Sequence, residues 1–189
     1  VLSIAQDKFG RMWFGTKEGV NIYDGTSIKY FKGQIHEGNG NNKLWIGNNV
    51  KSIKMDSTGD VYMFIDDNII KYGIDTGKFK KITNQGRVRS LGGYNGEIAF
   101  LSGDSIMQWD PQSDKANILF RIPKNLHSVH LSFDSDNSYL ASSNGLHIYD
   151  RKTHDHITLL PDKNVYSRFI SPTKLYAVSY THLRAHETV

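Results

Sequence analysis

The chain of 189 residues contains no cysteine. That absence removes disulfides, thiolate metal sites and a cysteine nucleophile together. Proline is scarce, at four residues, and no apolar run approaches the roughly 20 residues that a membrane-crossing helix needs. The first residues, VLSIAQDKFG, lack both the basic start and the apolar centre of a signal peptide. They also lack an initiator Met and begin in mid-pattern, as a fragment would, so missing targeting signals say nothing about location. Basic residues exceed acidic ones only by 23 to 19 and are scattered, so there is no basic stripe for nucleic acid. No segment sustains a 3.6-residue apolar period, which leaves helix essentially absent.

What is present is aromatic and glycine-rich: 12% aromatic residues and 17 Gly, a balance suited to short strands joined by tight turns. It is also repetitive. GVNIYD (19–24), NIIKYG (68–73), SIMQWD (105–110) and GLHIYD (145–150) fall into register. Their first column holds turn formers (Gly19, Asn68, Ser105, Gly145), the second aliphatics (Val20, Ile69, Ile106, Leu146) and the fifth aromatics (Tyr23, Tyr72, Trp109, Tyr149). Upstream of each lies a second matching strand: SIAQDKFGRMW (3–13), SIKMDSTGDVY (52–62), SLGGYNGEIA (90–99) and HLSFDSDNSYL (130–140). Ten residues separate Trp13 from Tyr23, Tyr62 from Tyr72 and Ala99 from Trp109, and nine separate Leu140 from Tyr149. The first unit divides into four short strands, about 2–6, 11–16, 20–23 and 27–32, joined by the turns DKFG, TKEG and DGTS.

Four antiparallel strands in about 40 residues, repeated, form the signature of a β-propeller blade. A β-sandwich is the alternative, but it has no reason to keep the spacing. The expected fold is all-β: a partial propeller, truncated at both ends, over 1–177. Its blades lie at about 1–33, 50–83, 88–122 and 129–160, with an incomplete fifth from 165. The Gly/Asn-rich insertion at 33–43 reads as an enlarged loop. A chain of this kind leaves two blade faces uncovered, which predicts poor solubility.

The first unit, SIAQDKFGRMWFGTKEGVNIYDGTSIKYFK (3–32), resembles the first blade of the two-component regulator propeller family, through Ser3, Ile4, Asp7, Gly10, Trp13, Gly15, Thr16, Gly19, Tyr23, Asp24 and Gly25. The resemblance weakens along the chain, and the second unit already replaces the W-x-G-T strand with YMFIDD. It implies a non-enzymatic, periplasmic sensor portion of a hybrid histidine kinase from Bacteroidetes, responding to oligosaccharides and controlling glycan-utilisation genes. The intact protein would add further blades, self-association, an immunoglobulin-like domain and a membrane span, all outside this chain. No cofactor and no nucleic-acid partner are implied. The last residues, VSYTHLRAHETV (178–189), resemble a translated sequencing adapter and are set apart from the fold.

Other motifs read as structure. His182 and His186 mimic zinc ligands on a helix face, but they lie in the adapter-like tail. His154 and His156 flank Asp155 in what reads as an exposed turn without a third ligand. FDSDNS (133–138) starts like a calcium loop but has Tyr139 where Gly is required, and reads as a degenerate D-x-x-G turn. EGNGNN (37–42) lacks the context of a phosphate loop. The aromatics Trp13, Tyr23, Tyr62, Tyr72, Trp109 and Tyr149 recur with the repeat, which assigns them to packing between blades rather than to sugar stacking. No catalytic, cofactor-binding or metal-binding residue is assigned, and ligand contacts remain unassigned beyond the rim loops that include 33–43. Two alternatives stay open: a lyase-like enzyme on a propeller scaffold, and a protein-binding scaffold.

Overall fold

A computed structural model describes residues 1–36, 43–82, 87–124, 126, 130–171 and 174–179, with the side chains of His36 and of 166–179 outside the description. These residues form strands and turns only. Sheet 1 holds β1 (Ser3–Gln6), β2 (Met12–Thr16), β3 (Gly19–Tyr23) and β4 (Ile28–Phe31). A hairpin follows, β5 (Gly33–His36) with β6 (Lys43–Gly47). Sheet 2 comprises β7 (Val50–Met55), β8 (Val61–Ile65), β9 (Asn68–Tyr72) and β10 (Phe79–Lys81). Sheet 3 comprises β11 (Val88–Tyr94), β12 (Glu97–Ser102), β13 (Ser105–Asp110) and β14 (Lys115–Arg121). Sheet 4 comprises β15 (His130–Phe133), β16 (Asn137–Ser142), β17 (Gly145–Asp150) and β18 (His156–Leu159), and β19 (Val165–Ser171) pairs with β20 (Lys174–Ser179). Every sheet is an antiparallel meander in sequence order, and the first strands β1, β7, β11, β15 and β19 neighbour one another in turn. This is an open run of propeller blades, as the repeat requires.

The cores lie between blades. Val61, Met63 and Ile65 of β8 point into a cluster with Trp13, Val20 and Ile22 of sheet 1. Tyr62 and Phe64 of the same strand point the other way, into a cluster with Leu91, Ile98 and Phe100 of sheet 3. A strand sandwiched in this way has no solvent face, so VYMFI is buried at all five positions instead of alternating. Sheets 3 and 4 share a third cluster around Leu101, Phe120, Leu131 and Leu140, and Leu146 meets Val165 in a fourth. Trp13 meets Tyr72 edge-on at 5.1 Å, and Tyr62 meets Trp109 at 6.4 Å. The repeating aromatics therefore join one blade to the next. Tyr23, whose face of sheet 1 has no neighbouring sheet among the described residues, is 39% exposed. On that sheet Ile4 is likewise 58% exposed, whereas Ile53, Leu91 and Leu131 in the same column are buried.

The motif columns have physical causes. In sheets 1, 2 and 4 the Asp opening the first turn accepts backbone N–H groups of its own turn and one aromatic donor from the next strand. Trp13 Nε1 donates to Asp7 at 2.8 Å, the Tyr62 hydroxyl to Asp56 at 2.8 Å and the Tyr139 hydroxyl to Asp134 at 2.7 Å. Tyr139, not Leu140, thus holds the column, and its distance to Tyr149 is ten residues like the rest. The register agrees: Met12↔Tyr23, Val61↔Tyr72, Ile98↔Trp109 and Ser138↔Tyr149. Blade three has lost both partners together, with Tyr94 and Ala99 in the two positions. The Asp after the third-strand aromatic caps the next turn: Asp24 accepts from Thr26 and Ser27, Asp110 from Gln112, and Asp150 from Lys152 and Thr153. The leading Ser ties neighbouring blades, because Ser3 Oγ accepts Ile53 N–H at 3.0 Å and Ser90 Oγ accepts Leu131 N–H at 2.9 Å.

Gly15 answers to close approach. A Cβ there would lie 2.8 Å from Val50 Cγ1 and 2.9 Å from the Val50 carbonyl oxygen. The carbonyl is held in β7 and cannot yield, so Gly15→Ala is expected to push sheets 1 and 2 apart at a cost of about 1–3 kcal/mol. Thermal unfolding by circular dichroism measures it; an unchanged midpoint would show that sheets 1 and 2 can yield at this contact without loss.

Candidate functional site

The insertion between the first two blades is an ordered hairpin rather than the expected loop over 33–36 and 43–47; residues 37–42 lie outside the described residues. Its strands pack one row of side chains inward. Ile46 is buried in the core between sheets 1 and 2, with Ile35 and Leu44 against it. Period-two alternation then sends Trp45 outward, where it is 59% exposed. Of the three tryptophans, Trp13 and Trp109 are buried. The six-membered ring of Trp45 rests on Gly33, close enough that a Cβ there would meet it at 3.4 Å.

Polar groups adjoin this indole. Gly47 takes φ +88, turning the chain so that the N–H groups of Asn48 and Asn49 donate to the Asp66 carboxylate at 2.8 and 3.1 Å. The side-chain oxygens of Asn48 and Asn49 are buried and accept no hydrogen bond. Asp67 is held by Lys51 at 3.2 Å and Arg87 at 2.8 Å. An exposed aromatic face of this kind can stack on the apolar face of a ligand ring. It can position a ligand, and the Asp66 and Asp67 carboxylates are committed to backbone N–H groups and to Lys51 and Arg87.

Elsewhere, a cleft of about 810 Å³ opens beside the turns of sheet 2, lined by Asp60, Lys71, Asp75, Lys78, Lys80 and Asp114. Four of its charges pair with one another, Lys71 with Asp60 at 2.8 Å and Lys80 with Asp114, and Asp75 pairs with Lys8 at 3.1 Å. Among the described residues no three His, Cys, Asp or Glu side chains gather. Ser142 and His147 are hydrogen-bonded at 3.1 Å, but Ser142 is fully buried and donates to the Gly145 carbonyl, so it is no nucleophile.

The residues singled out in the sequence part company. His154 sits in the turn closed by Asp150 and meets Phe120 edge-on at 5.3 Å. His156 starts β18 and faces His147, a residue the sequence reading passed over inside the GLHIYD phrase. Asp134 of FDSDNS binds the N–H groups of Asp136 and Asn137, which is turn capping. His182 and His186 lie outside the described residues, as does EGNGNN. Trp45 was missed because it belongs to no repeat column, which is the signal that could have found it.

The two component regulator propeller model matches residues 1–18. No curated protein sequence matches the chain. Among solved structures, the extracellular domain of the putative one component system BT4673 from B. thetaiotaomicron is similar at 20% identity and a TM-score of 0.70, over 90% of this chain and 25% of that one. The extracellular domain of the putative hybrid two component system BT3049 from the same organism gives 20% identity and 0.66, over 88% and 26%. An auxiliary nutrient binding protein from Bacteroides thetaiotaomicron gives 14% and 0.58, over 83% and 40%. The chain spans about a quarter of the length of the two sensor domains. These likenesses establish the propeller fold, and the family model's match spans β1, β2 and the turn that follows.

Proposed function

We propose that this chain is part of the ligand-sensing propeller of an extracytoplasmic two-component sensor, and that it contributes an oligosaccharide contact through the insertion hairpin. The observation that carries the ligand reading is Trp45: a large aromatic, 59% exposed, on a hairpin without a counterpart between the other blades among the described residues. The family repeat in the first blade and the shared fold with extracellular sensor domains support the sensor reading. In the intact protein, further blades and self-association complete the sensor, the propeller lies in the periplasm, and a membrane span leads to the kinase. Ligand binding then biases how propellers or protomers pack, and that rigid-body shift is the signal.

Trp45 is a built-in reporter, because it is the exposed tryptophan beside two buried ones. Titration with plant and host-glycan oligosaccharides is expected to shift and protect its fluorescence from acrylamide quenching. Trp45→Ala is expected to weaken binding by about 1–3 kcal/mol, the worth of one aromatic stacking contact at a hot spot. Binding that survives Trp45→Ala would move the ligand elsewhere. No binding to any glycan, together with a stable complex with another protein, would favour the scaffold alternative.

A further inference from the structure

Repeat columns separate what the scaffold needs from what has been added to it, and sheet 4 carries an addition. His147 stands where the other sheets have Asn21, Ile70 and Met107, and His156 where they have Ile28, Phe79 and Ala116. No titratable side chain fills either column in those sheets, so the two imidazoles meet no demand of the repeat. They join the outermost strand of sheet 4 to its neighbour. His147 of β17 places Nδ1 3.2 Å from His156 Nε2 and 3.1 Å from Thr158 Oγ1, both on β18. All four residues of β18 are exposed, so these contacts and the stacking of His156 on Tyr149 at 4.3 Å anchor its side chains.

Ser142 fixes where the His147 proton sits. Its Oγ lies 3.1 Å from His147 Nε2, donates to the Gly145 carbonyl and accepts Asn144 N–H, the last two also at 3.1 Å. Thr16 makes the same two turn bonds in sheet 1, donating to Gly19 O at 2.9 Å and accepting Glu18 N–H at 3.0 Å, where Asn21 stands in place of the histidine. The turn itself thus claims the hydroxyl proton, and Ser142 can only accept from His147. That assigns the ring proton to Nε2 and leaves Nδ1 as an acceptor facing β18. A proton added to His156 keeps this arrangement, because His156 Nε2–H still donates to Nδ1. One added to His147 does not: Nδ1 becomes a second donor, and a charged ring lies in a site where His147 is only 6% exposed. We propose that this pair is an acid-released clamp, in which neutral His147 holds β18 against β17 and protonated His147 lets it detach.

Nothing around the pair offsets a charge on His147. Among the described residues no carboxylate pairs with either histidine, and the side chains of sheet 3 in this cluster, Leu101, Ile106, Phe120 and Ile122, are apolar. The other titratable groups nearby are Tyr149, whose buried hydroxyl has its pKa raised by burial and stays neutral, and His154, which abuts Phe120 from the adjoining turn. Burial, and then the neighbouring His156, hold the His147 imidazole below its ordinary pKa. The unfolded chain takes up this proton near the ordinary value of about 6.5 and the folded chain only at lower pH. The stabilisation is therefore complete above about pH 6.5 and is lost as pH falls through the folded-state value. Tyr149 stacks on both His156 and Phe120, so detachment of β18 uncovers the outer end of the contact between sheets 3 and 4.

Hydrogen exchange of the full chain at about pH 7.5 and about pH 5, corrected for the intrinsic pH dependence of exchange, tests the clamp. Opening of β18 is expected to rise in acid, by up to about tenfold for each pH unit separating the unfolded and folded pKa values of His147, while β12 and β13 keep their protection. His147→Asn, the residue that sheet 1 carries, should make β18 open equally at the two pH values. His156→Ala, an exposed change, should speed opening at neutral pH and weaken its acid dependence. The nitrogen chemical shifts of the His147 ring should place its proton on Nε2 at neutral pH. Equal opening of wild-type β18 at both pH values, an acid response that His147→Asn retains, or a ring proton on Nδ1 would each overturn the clamp.

Discussion

Asp7→Ala is expected to lower stability by about 3–5 kcal/mol, the cost of removing one partner from a buried charged network. Asp7 is 5% exposed, and its carboxylate accepts four donors: Phe9 N–H at 3.0 Å, Arg11 N–H at 3.0 Å, Arg11 Nε at 2.7 Å and Trp13 Nε1 at 2.8 Å. Ala leaves all four without an acceptor in a site that water reaches poorly. Urea unfolding followed by tryptophan fluorescence measures the loss, and a change under 1 kcal/mol would mean that Trp13 is held by packing alone.

The same carboxylate has a pH signature. Burial raises its pKa, but the hydrogen bonds from Trp13, Arg11 and Phe9 together outweigh burial and hold it below the ordinary carboxylate value. A pKa lower in the folded state than in the unfolded one stabilises the fold at every pH above the unfolded value of about 3.9. That stabilisation drains away as pH falls through the lower folded-state pKa. Wild-type stability should therefore fall steeply below about pH 4, whereas Asp7→Asn should be weaker near neutrality and show a shallower acid slope. Parallel slopes for the two proteins would rule Asp7 out as a source of the acid sensitivity.

Trp13→Ala is the second large effect, expected to cost about 3–5 kcal/mol. Trp13 is fully buried, packs edge-on against Tyr72 and lies in the cluster with Val20, Val61 and Met63. Its loss opens a cavity between blades that backbone hydrogen bonds keep from collapsing. Because stacked repeats contact only their neighbours, hydrogen exchange should quicken in sheets 1 and 2 while β12 to β17 keep their protection. Uniform quickening would show that the blades unfold as one unit. The double variant Asp7→Ala/Trp13→Ala should cost less than the sum of the two, since each removes the other's partner.

How much could be read in advance varies along the chain with the repeat. Where Asp, Gly and an aromatic recur at fixed offsets, as in SIAQDKFGRMW and SIKMDSTGDVY, strand positions and inter-blade packing were legible, because each residue answers a local demand of turn or register. In blade four the turn after Asp134 is one residue shorter than that after Asp7, and the aromatic column was read one place late, at Leu140 instead of Tyr139. The insertion looked like a loop because its Gly and Asn residues cluster at 37–42, while the flanking strands are too short to announce themselves.

The amino-acid order alone determined the blades, since a meander is built from neighbouring strands whose turns and alternation are written locally. It also marked the aromatics as core, because a residue that recurs once per blade must face the same neighbour each time. Only the tertiary structure decided that Trp45 faces solvent while Ile46 beside it is buried, and that His156 pairs with His147 rather than with His154. Both outcomes depend on cross-strand register and on what the next blade covers, and neither is encoded in the spacing of the residues themselves.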